Sequence, residues 1–285
     1  MTFSIVSYDE NTREWGVAVQ SKFVAVGAVV PFAVAEVGAI ATQALANTSY
    51  GPKGLTLLNM GFTAQETIEI LIKNDEEKEQ RQLGIVDMYG NAASFTGSEC
   101  FDWAGHIVGD HYTCQGNILA GEDVVKSMAE AYENTEGDLV ERLFAALEAG
   151  QAKGGDKRGR EAAAILIVKE KGAYDGGTDR YIDIRVDEHP YPIKELRKVF
   201  EVYDLCMLNR EDLSDIIELE GEVMKNVKEV LNKEGFYEGP VDDTYDANSK
   251  QALTKWLHTN NFEIKEREDN YIWGSVYRYM MKNKK

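Results

Sequence analysis

The chain of 285 residues is long enough for two domains, and its 44% hydrophobic content is sufficient for a packed core. A formal net charge of −18 argues against a nucleic-acid partner, because an acidic surface repels phosphate backbones. No apolar run approaches the ~20 residues of a membrane span, and the first residues lack the basic region of a signal peptide. We therefore expect a cytoplasmic protein with no membrane partner.

The chain opens with a pattern that is typical of strands. Polar and apolar residues alternate in the first two segments, as in half-buried strands, and two segments rich in Ala, Val and Gly follow. Helical spacing comes next, and Thr63 with Glu66 three residues later predicts a capping box. The predicted strands cover residues 2–8, 15–21, 26–30 and 40–44, and the predicted helices cover 51–60 and 64–73.

A second round of strands and helices follows, with Gly150 expected to end the second helix of this round as a C-cap. The predicted strands cover 83–87, 92–96, 111–116, 162–168 and 181–186, and the predicted helices cover 121–133 and 138–149. This order indicates an α+β domain in which two helical layers enclose antiparallel sheets. No GxGxxG motif joins a strand to a helix, which disfavours a Rossmann fold.

The pattern changes near Pro190 and Pro192, after which residues 193–232 have helical spacing. Further helices are predicted at 247–258 and 272–280, and small modules of this kind bury one apolar seam. We therefore divide the chain into a first domain of residues 1–189, a helical linker of residues 190–222 and a three-helix domain of residues 223–285.

Thr2 is the residue whose position in the chain most clearly suggests catalytic chemistry. A small residue after the initiator Met permits removal of Met1, which would leave threonine with a free α-amine. The pKa of such an amine is ~7.7–8.0, low enough for it to accept the hydroxyl proton at neutral pH. Nucleophile and general base would then belong to one residue. A strand that starts at Thr2 and pairs with the strand of residues 15–21 is the context in which this chemistry is expected.

Several strings support a family resemblance over about residues 1–200. They are AVGAVVP at 25–31, ATQALAN at 41–47, YGPKG at 50–54, WAGH at 103–106, QGNILAG at 115–121 and AGQAKGGDKRGR at 149–160. With the two opening strands, they make the chain similar to an Ntn-hydrolase-like family of unknown function found in many prokaryotes. The resemblance implies a four-layer αββα sandwich with a nucleophile at the start of the first strand. It does not imply a substrate, because fold does not dictate function.

The C-terminal segment resembles a peptidoglycan-binding domain, through its Gly-Phe-Tyr, Gly-Pro-Val-Asp and Ala-Leu-Thr-Lys-Trp elements between residues 235 and 256. Asp243 and Asp246 stand where members of that family usually have glycine, so the loop conformation and the binding of wall fragments are in question. Packing or oligomerisation is an equal alternative for this module.

Side-chain amides near strand ends are candidates for stabilising an oxyanion or binding substrate, namely Gln43, Asn47 and Asn117, with turn stabilisation as the alternative. Lys22 is a candidate for lowering the proton affinity of the hydroxyl, or it simply ends a strand. In the Gly-rich loop, Asp156, Arg158 and Arg160 are candidates for binding an acidic substrate group. Salt bridges to another domain or subunit are the alternative for this loop.

Metal and cysteine chemistry are not expected. His106 and His111 lack the spacing of a metal motif, so we predict neither a metal nor another cofactor. Three irregularly spaced cysteines fit a reducing compartment, and Cys114 is interpreted as a small buried hydrophobe. The leading hypothesis is an amide hydrolase for a small-molecule or peptide-like substrate. The alternatives are a non-catalytic scaffold or ligand-binding protein and, third, a sensor of wall fragments; we expect a homo-oligomer.

Overall fold

A six-stranded antiparallel sheet has the N-terminal strand near its centre in the computed structural model, which describes residues 2–283. The strand order is β10-β9-β2-β1-β8-β7. The strands are β1 (Thr2–Asp9), β2 (Glu14–Ser21), β7 (Gly105–Gly109), β8 (Tyr112–Asn117), β9 (Ala162–Val168) and β10 (Arg180–Val186). Because β1 pairs with both β2 and β8, Thr2 lies opposite Ser21 on one side and Asn117 on the other.

A second antiparallel sheet, in the order β3-β4-β5-β6, faces the first. Strand β1 contacts β4, and β5 contacts β8 across the space between the sheets. The strands are β3 (Pro31–Val34), β4 (Gly38–Ala44), β5 (Arg81–Asp87) and β6 (Ala92–Thr96). An apolar cluster that includes Val6, Trp15, Val17, Ala39 and Val86 fills much of this space. The two sheets are therefore held together mainly by burial of apolar surface.

Helices cover the outer face of each sheet. On the second sheet, α1 (Tyr50–Asn59) contacts β4, and α2 (Ala64–Ile72) contacts β5 and β6. On the first sheet, α3 (Asp123–Asn134) contacts β8, and α4 (Leu139–Ala152) contacts β1 and β2. The α+β class with antiparallel sheets is confirmed. The Thr63–Glu66 capping box predicted for α2 is present.

Two local predictions were wrong, and one strand was missed. Residues 26–30 are not a strand: Val26–Ala28 form a 3₁₀ turn after Ala25, whose φ of 52° is left-handed, and the strand starts at Pro31. Strand β7 was not predicted. Gly150 does not end α4, which continues to Ala152; a Cβ at Gly150 would lie 2.7 Å from Met128, so this glycine permits close packing.

The second compact unit starts at Phe200, directly after the first ends at Val199. Helix α5 (Pro192–Met207) runs across this boundary, and α6 (Gly221–Lys233), α7 (Ala247–Thr259) and α8 (Gly274–Asn283) follow. A strand pair that was not predicted, β11 (Ile216–Glu218) with β12 (Tyr271–Trp273), accompanies the three helices. Strands of three residues are too short to produce a periodic signal.

The core of the second unit includes Leu205 and Leu219, which come from the segment assigned to the helical linker. This segment also contains β11, so it contributes to the packed unit and is not uniformly helical. Asp246 caps α7 by accepting a hydrogen bond from the Ser249 backbone, which gives an aspartate at this position a structural role. Within residues 2–283, no helix has both the length and the apolar character that crossing a bilayer requires.

Candidate active site

One edge of the facing sheets gathers the first residue of β1 and the last residues of β2, β4 and β8. Thr2 is the residue of β1 at this edge, and its Oγ1 lies 3.0 Å from Ser21 Oγ. Its carbonyl oxygen is 3.4 Å from Gln43 Nε2. Only 5% of Thr2 is exposed, so its hydroxyl lies in a mostly buried polar environment.

A pocket of about 230 Å³ opens at the same edge, and we call it the edge pocket. Asn117, the β8 partner of Thr2, is among its lining residues, which places the start of β1 one strand spacing from the cavity wall. The lining consists of Ala44, Leu45, Gln80, Glu99, Cys100, Phe101, Asn117, Ile118 and Arg158. A cavity smaller than those that usually bind drug-sized ligands suits a small substrate group.

Two residues of the edge pocket have a strained backbone. Ala44 and Ile118, each at the end of a strand, have left-handed φ values of 68° and 52°. Such a value is a pronounced outlier for a β-branched residue such as Ile118. The Ile118 N–H donates to the Phe101 carbonyl, and the Ile118 carbonyl accepts from Lys157, so the conformation is held from both sides. Strain of this kind often occurs at functional sites.

Buried amides form an inter-sheet polar network behind Thr2. Gln43 donates to Gln82 Oε1 at 2.8 Å, and Asn117 donates to the same oxygen at 2.9 Å. Ser4 donates to Gln43 Oε1 at 2.7 Å and accepts from Gln115 at 2.7 Å. These bonds satisfy side chains that are almost completely buried and fix the orientation of each amide. The amide side chains at this edge are thus preorganised by their hydrogen bonds.

The Gly-rich loop after α4 forms another wall of the edge pocket. Asp156 is 2% exposed and accepts backbone hydrogen bonds from Lys22 at 2.7 Å and from Arg158 at 2.9 Å. Its carboxylate also lies 3.3 Å from the Arg158 guanidinium. The turn closes at Gly159, whose φ is +119° and whose N–H donates to the Asp156 carbonyl. Asp156 therefore ties the end of β2 to the loop that presents Arg158.

The structure brings together some of the predicted site residues and separates others. Thr2, Gln43, Asn117 and Arg158 lie at the edge described above. The Lys22 ammonium group instead pairs with Glu161 at 3.1 Å.

Two predicted substrate-binding residues line other cavities. Asn47 lies in a pocket of about 570 Å³ formed with α1 and α2, where its Oδ1 accepts from Ser49. Arg160 lines a pocket beside Tyr191, and its guanidinium carbon is 4.6 Å from the centre of that ring.

The histidines and cysteines have limited reactive potential. His106 shares a hydrogen bond with Thr96, and His111 lies 3.7 Å from Asp110. Among residues 2–283, no group of three or more metal-binding side chains is close enough to hold an ion. Cys114 is fully buried, and burial raises the pKa of its thiol well above the usual value. Burial also raises the pKa of the Cys100 thiol, although this residue lines the edge pocket.

Sequence reasoning missed Ser21, Gln82, Glu99 and Cys100 as members of this edge. Ser21 ends a strand predicted to pair with the strand of Thr2, so its position opposite Thr2 could have been inferred from the hairpin register. Gln82 is the β5 partner of Gln43, whereas Glu99 and Cys100 lie in the segment after β6, and no local sequence pattern marks these three residues.

Two family models match separate parts of the chain. Residues 2–196 match DUF1028, described as a "Family of unknown function", and residues 206–280 match the model described as "Putative peptidoglycan binding domain". Both resemblances predicted from the sequence are thereby confirmed at the level of family. No curated protein matches the chain.

Two solved structures provide further comparison. Protein SPO2555 from Silicibacter pomeroyi, assigned to DUF1028, is 29% identical over 71% of this chain and 89% of its own, with a TM-score of 0.65. Anbu (ancestral beta-subunit) from Yersinia bercovieri is 15% identical over 70% of this chain and 93% of its own, and its TM-score of 0.31 is too low to define the fold.

Proposed function

Since this chain belongs to the DUF1028 family, whose function is unknown, we propose from its own geometry that it is an Ntn-type amide hydrolase with Thr2 as nucleophile. The layers of helices and sheets described above would then be an Ntn-hydrolase-like αββα sandwich. The observation that carries the proposal is the position of the Thr2 hydroxyl, which lies 3.0 Å from Ser21 Oγ at the edge where the pocket opens.

In the proposed reaction, removal of Met1 frees the α-amine of Thr2. This amine accepts the proton of Oγ1 as Oγ1 attacks the carbonyl carbon of the amide. Collapse of the tetrahedral intermediate breaks the C–N bond, and the leaving amine takes up the proton. Water then attacks the ester on Thr2, releases a carboxylic acid and restores the hydroxyl. The proposed steps use only the hydroxyl and amine of Thr2, the substrate and water.

Other residues at this edge have supporting roles in the proposal. Ser21 Oγ lies within hydrogen-bond distance of Thr2 Oγ1 and orients the hydroxyl. Asn117 lines the pocket beside Thr2 and is the candidate amide donor to the oxyanion. Arg158 also lines the pocket and would bind a carboxylate of the substrate. The small volume favours a small amide. Arg158 is paired with Asp156 and Glu99 also lines the pocket, so the preference for an acidic group rests on the geometry of the guanidinium and not on a net positive charge.

A non-catalytic role is the second candidate, and the 5% exposure of Thr2 favours it. In that case the Thr2–Ser21 hydrogen bond would only join the ends of β1 and β2, and the edge pocket would bind a ligand without chemistry. The two functions differ in whether the Thr2 hydroxyl becomes acylated.

Covalent trapping tests the proposal. Intact mass spectrometry of protein from its own cell should show a chain that starts at Thr2. A β-lactone that carries a carboxylate should then acylate the hydroxyl, because its ring opens and its whole mass is added to the chain. We expect one adduct on the wild type and on Thr2→Ser, and none on Thr2→Ala.

Thr12→Ala is the matched control, because Thr12 is exposed in the turn after β1 and should not affect labelling. Circular dichroism of Thr2→Ala checks that the fold is retained. Retention of Met1 in the native protein, or equal labelling of Thr2→Ala, would favour the non-catalytic role.

A further inference from the structure

Another pocket of the first unit, which we call the α4–α5 pocket, lies between the end of α4 and the start of α5 and has a volume of about 440 Å³. Ala152 of α4 and Tyr191, Pro192 and Ile193 provide apolar surface. Pro192 and Ile193 are buried, whereas Tyr191 is 53% exposed, so the pocket has a fixed floor and an aromatic rim. Its size is in the range of small-molecule sites.

The positive charges that line this pocket are not all neutralised by carboxylates. Arg197 pairs with Glu148 at 3.2 Å and also with Glu141, so its charge is neutralised by neighbouring carboxylates. Arg160 and Lys194 also line the pocket, and neither has a carboxylate partner among residues 2–283. Two unpaired cations beside one apolar wall are unusual in a chain whose formal net charge is −18.

Arg160 makes a cation–π contact at the rim of the pocket. Its guanidinium carbon lies 4.6 Å from the centre of the Tyr191 ring, a cation–π arrangement that leaves the N–H groups at the rim of the plane available as donors. A planar guanidinium can bind a carboxylate through two parallel hydrogen bonds, and a nearby ammonium adds a third donor.

We propose that the α4–α5 pocket binds a small organic carboxylate with an aromatic or aliphatic body. Arg160 and Lys194 bind the carboxylate, and the body packs against Tyr191, Pro192 and Ile193. The site is separate from the edge pocket: Arg158 lines one pocket and Arg160 the other, with Gly159 between them. The proposal does not depend on catalysis by Thr2.

Isothermal titration calorimetry of the full chain with 3-phenylpropanoate tests the site. Binding is expected for the acid, and the neutral 3-phenylpropanamide should bind at least tenfold more weakly, because it cannot pair with both cations. Arg160→Gln and Lys194→Gln should each weaken binding of the acid about tenfold. The four residues exchanged in variants and controls are exposed, so the fold should be unaffected.

Lys153→Gln is the matched control, because Lys153 is an exposed cation near the end of α4 that does not line the pocket. This variant should bind 3-phenylpropanoate as tightly as the wild type. Arg158→Gln should also bind normally; a loss as large as that of Arg160→Gln would place the probe in the edge pocket and overturn the assignment. Equal affinities for acid and amide, or no heat of binding at millimolar probe, would overturn it as well.

Discussion

Replacing Asp156 by alanine is expected to release the loop that presents Arg158. The carboxylate is 2% exposed and accepts two backbone hydrogen bonds, from Lys22 at 2.7 Å and from Arg158 at 2.9 Å. Alanine would leave both N–H groups without this acceptor. Since Lys22 follows the last residue of β2, the change would also loosen the connection between the loop and the sheet edge.

The expected loss of loop stability in Asp156→Ala follows from these contacts. A hydrogen bond to a charged group is worth about 1.5–3 kcal/mol, whereas the contact with the half-exposed Arg158 guanidinium adds about 0–1 kcal/mol. Water will replace part of the lost hydrogen bonding, so we expect Asp156→Ala to destabilise the loop by about 3 kcal/mol. Asp156→Asn keeps the size and one acceptor oxygen, and about half that loss is expected.

Native-state hydrogen exchange measures this effect locally, without assuming that the two units unfold together. The Ala120 amide donates to Gly155, and the Lys157 amide donates to Ile118, so both report on the opening of the loop. Asp156→Ala should accelerate their exchange about a hundredfold. Asp110→Ala, which removes an almost fully exposed carboxylate, should leave the rates unchanged. Rates for Asp156→Ala within about twofold of the wild type would refute the reasoning.

Three further predictions concern the same unit. The hydrogen bond from Arg81 lowers the pKa of Asp75, so this group contributes its full stabilisation above its ordinary pKa near ~3.9 and loses it only as pH falls from there to the lowered folded-state pKa. Asp75→Asn should therefore cost about 2–3 kcal/mol at pH ~7 in urea unfolding, and this cost should start to decrease only below pH ~4. Gly84→Ala should lower the melting temperature, because its Cβ would lie 2.2 Å from Gln115 Oε1; an unchanged melting temperature would contradict the packing. The Cys100 thiol, whose pKa is raised by burial, should react with N-ethylmaleimide at pH ~7 more slowly than free cysteine, as followed by mass spectrometry.

The order of strands and helices was predictable because most elements have a clear period. The exceptions have physical causes. Residues 26–30 are as apolar as a strand, yet Ala25 has a left-handed backbone and Val26–Ala28 form a 3₁₀ turn after it. Val26 is nevertheless buried in the core. Such a case cannot be separated from a strand by composition. Strands β11 and β12 owe their existence to pairing between distant segments.

The candidate site was predictable only where a residue is tied to a strand. Asn117 ends β8 and Thr2 begins β1, so antiparallel pairing brings them together. Asn47 follows β4 by three residues, and the intervening turn takes it to a different pocket. Arg158 and Arg160 cannot be told apart by sequence composition, but they line separate pockets on either side of Gly159, whose φ is +119°.

The alternation of polar and apolar residues along β1 does not reflect exposure of one face of the strand to solvent. It predicted a half-buried strand, but all residues from Thr2 to Tyr8 are buried. Ser4 donates to Gln43 across the sheets and the Thr2 carbonyl accepts from the same side chain, whereas Val6 and Tyr8 belong to the apolar cluster between the same sheets. The space between the sheets is therefore divided along one strand. Apolar packing at the Tyr8 end supplies much of the cohesion, and this permits costly buried amides and a strained backbone at the Thr2 end, where the chemistry is proposed.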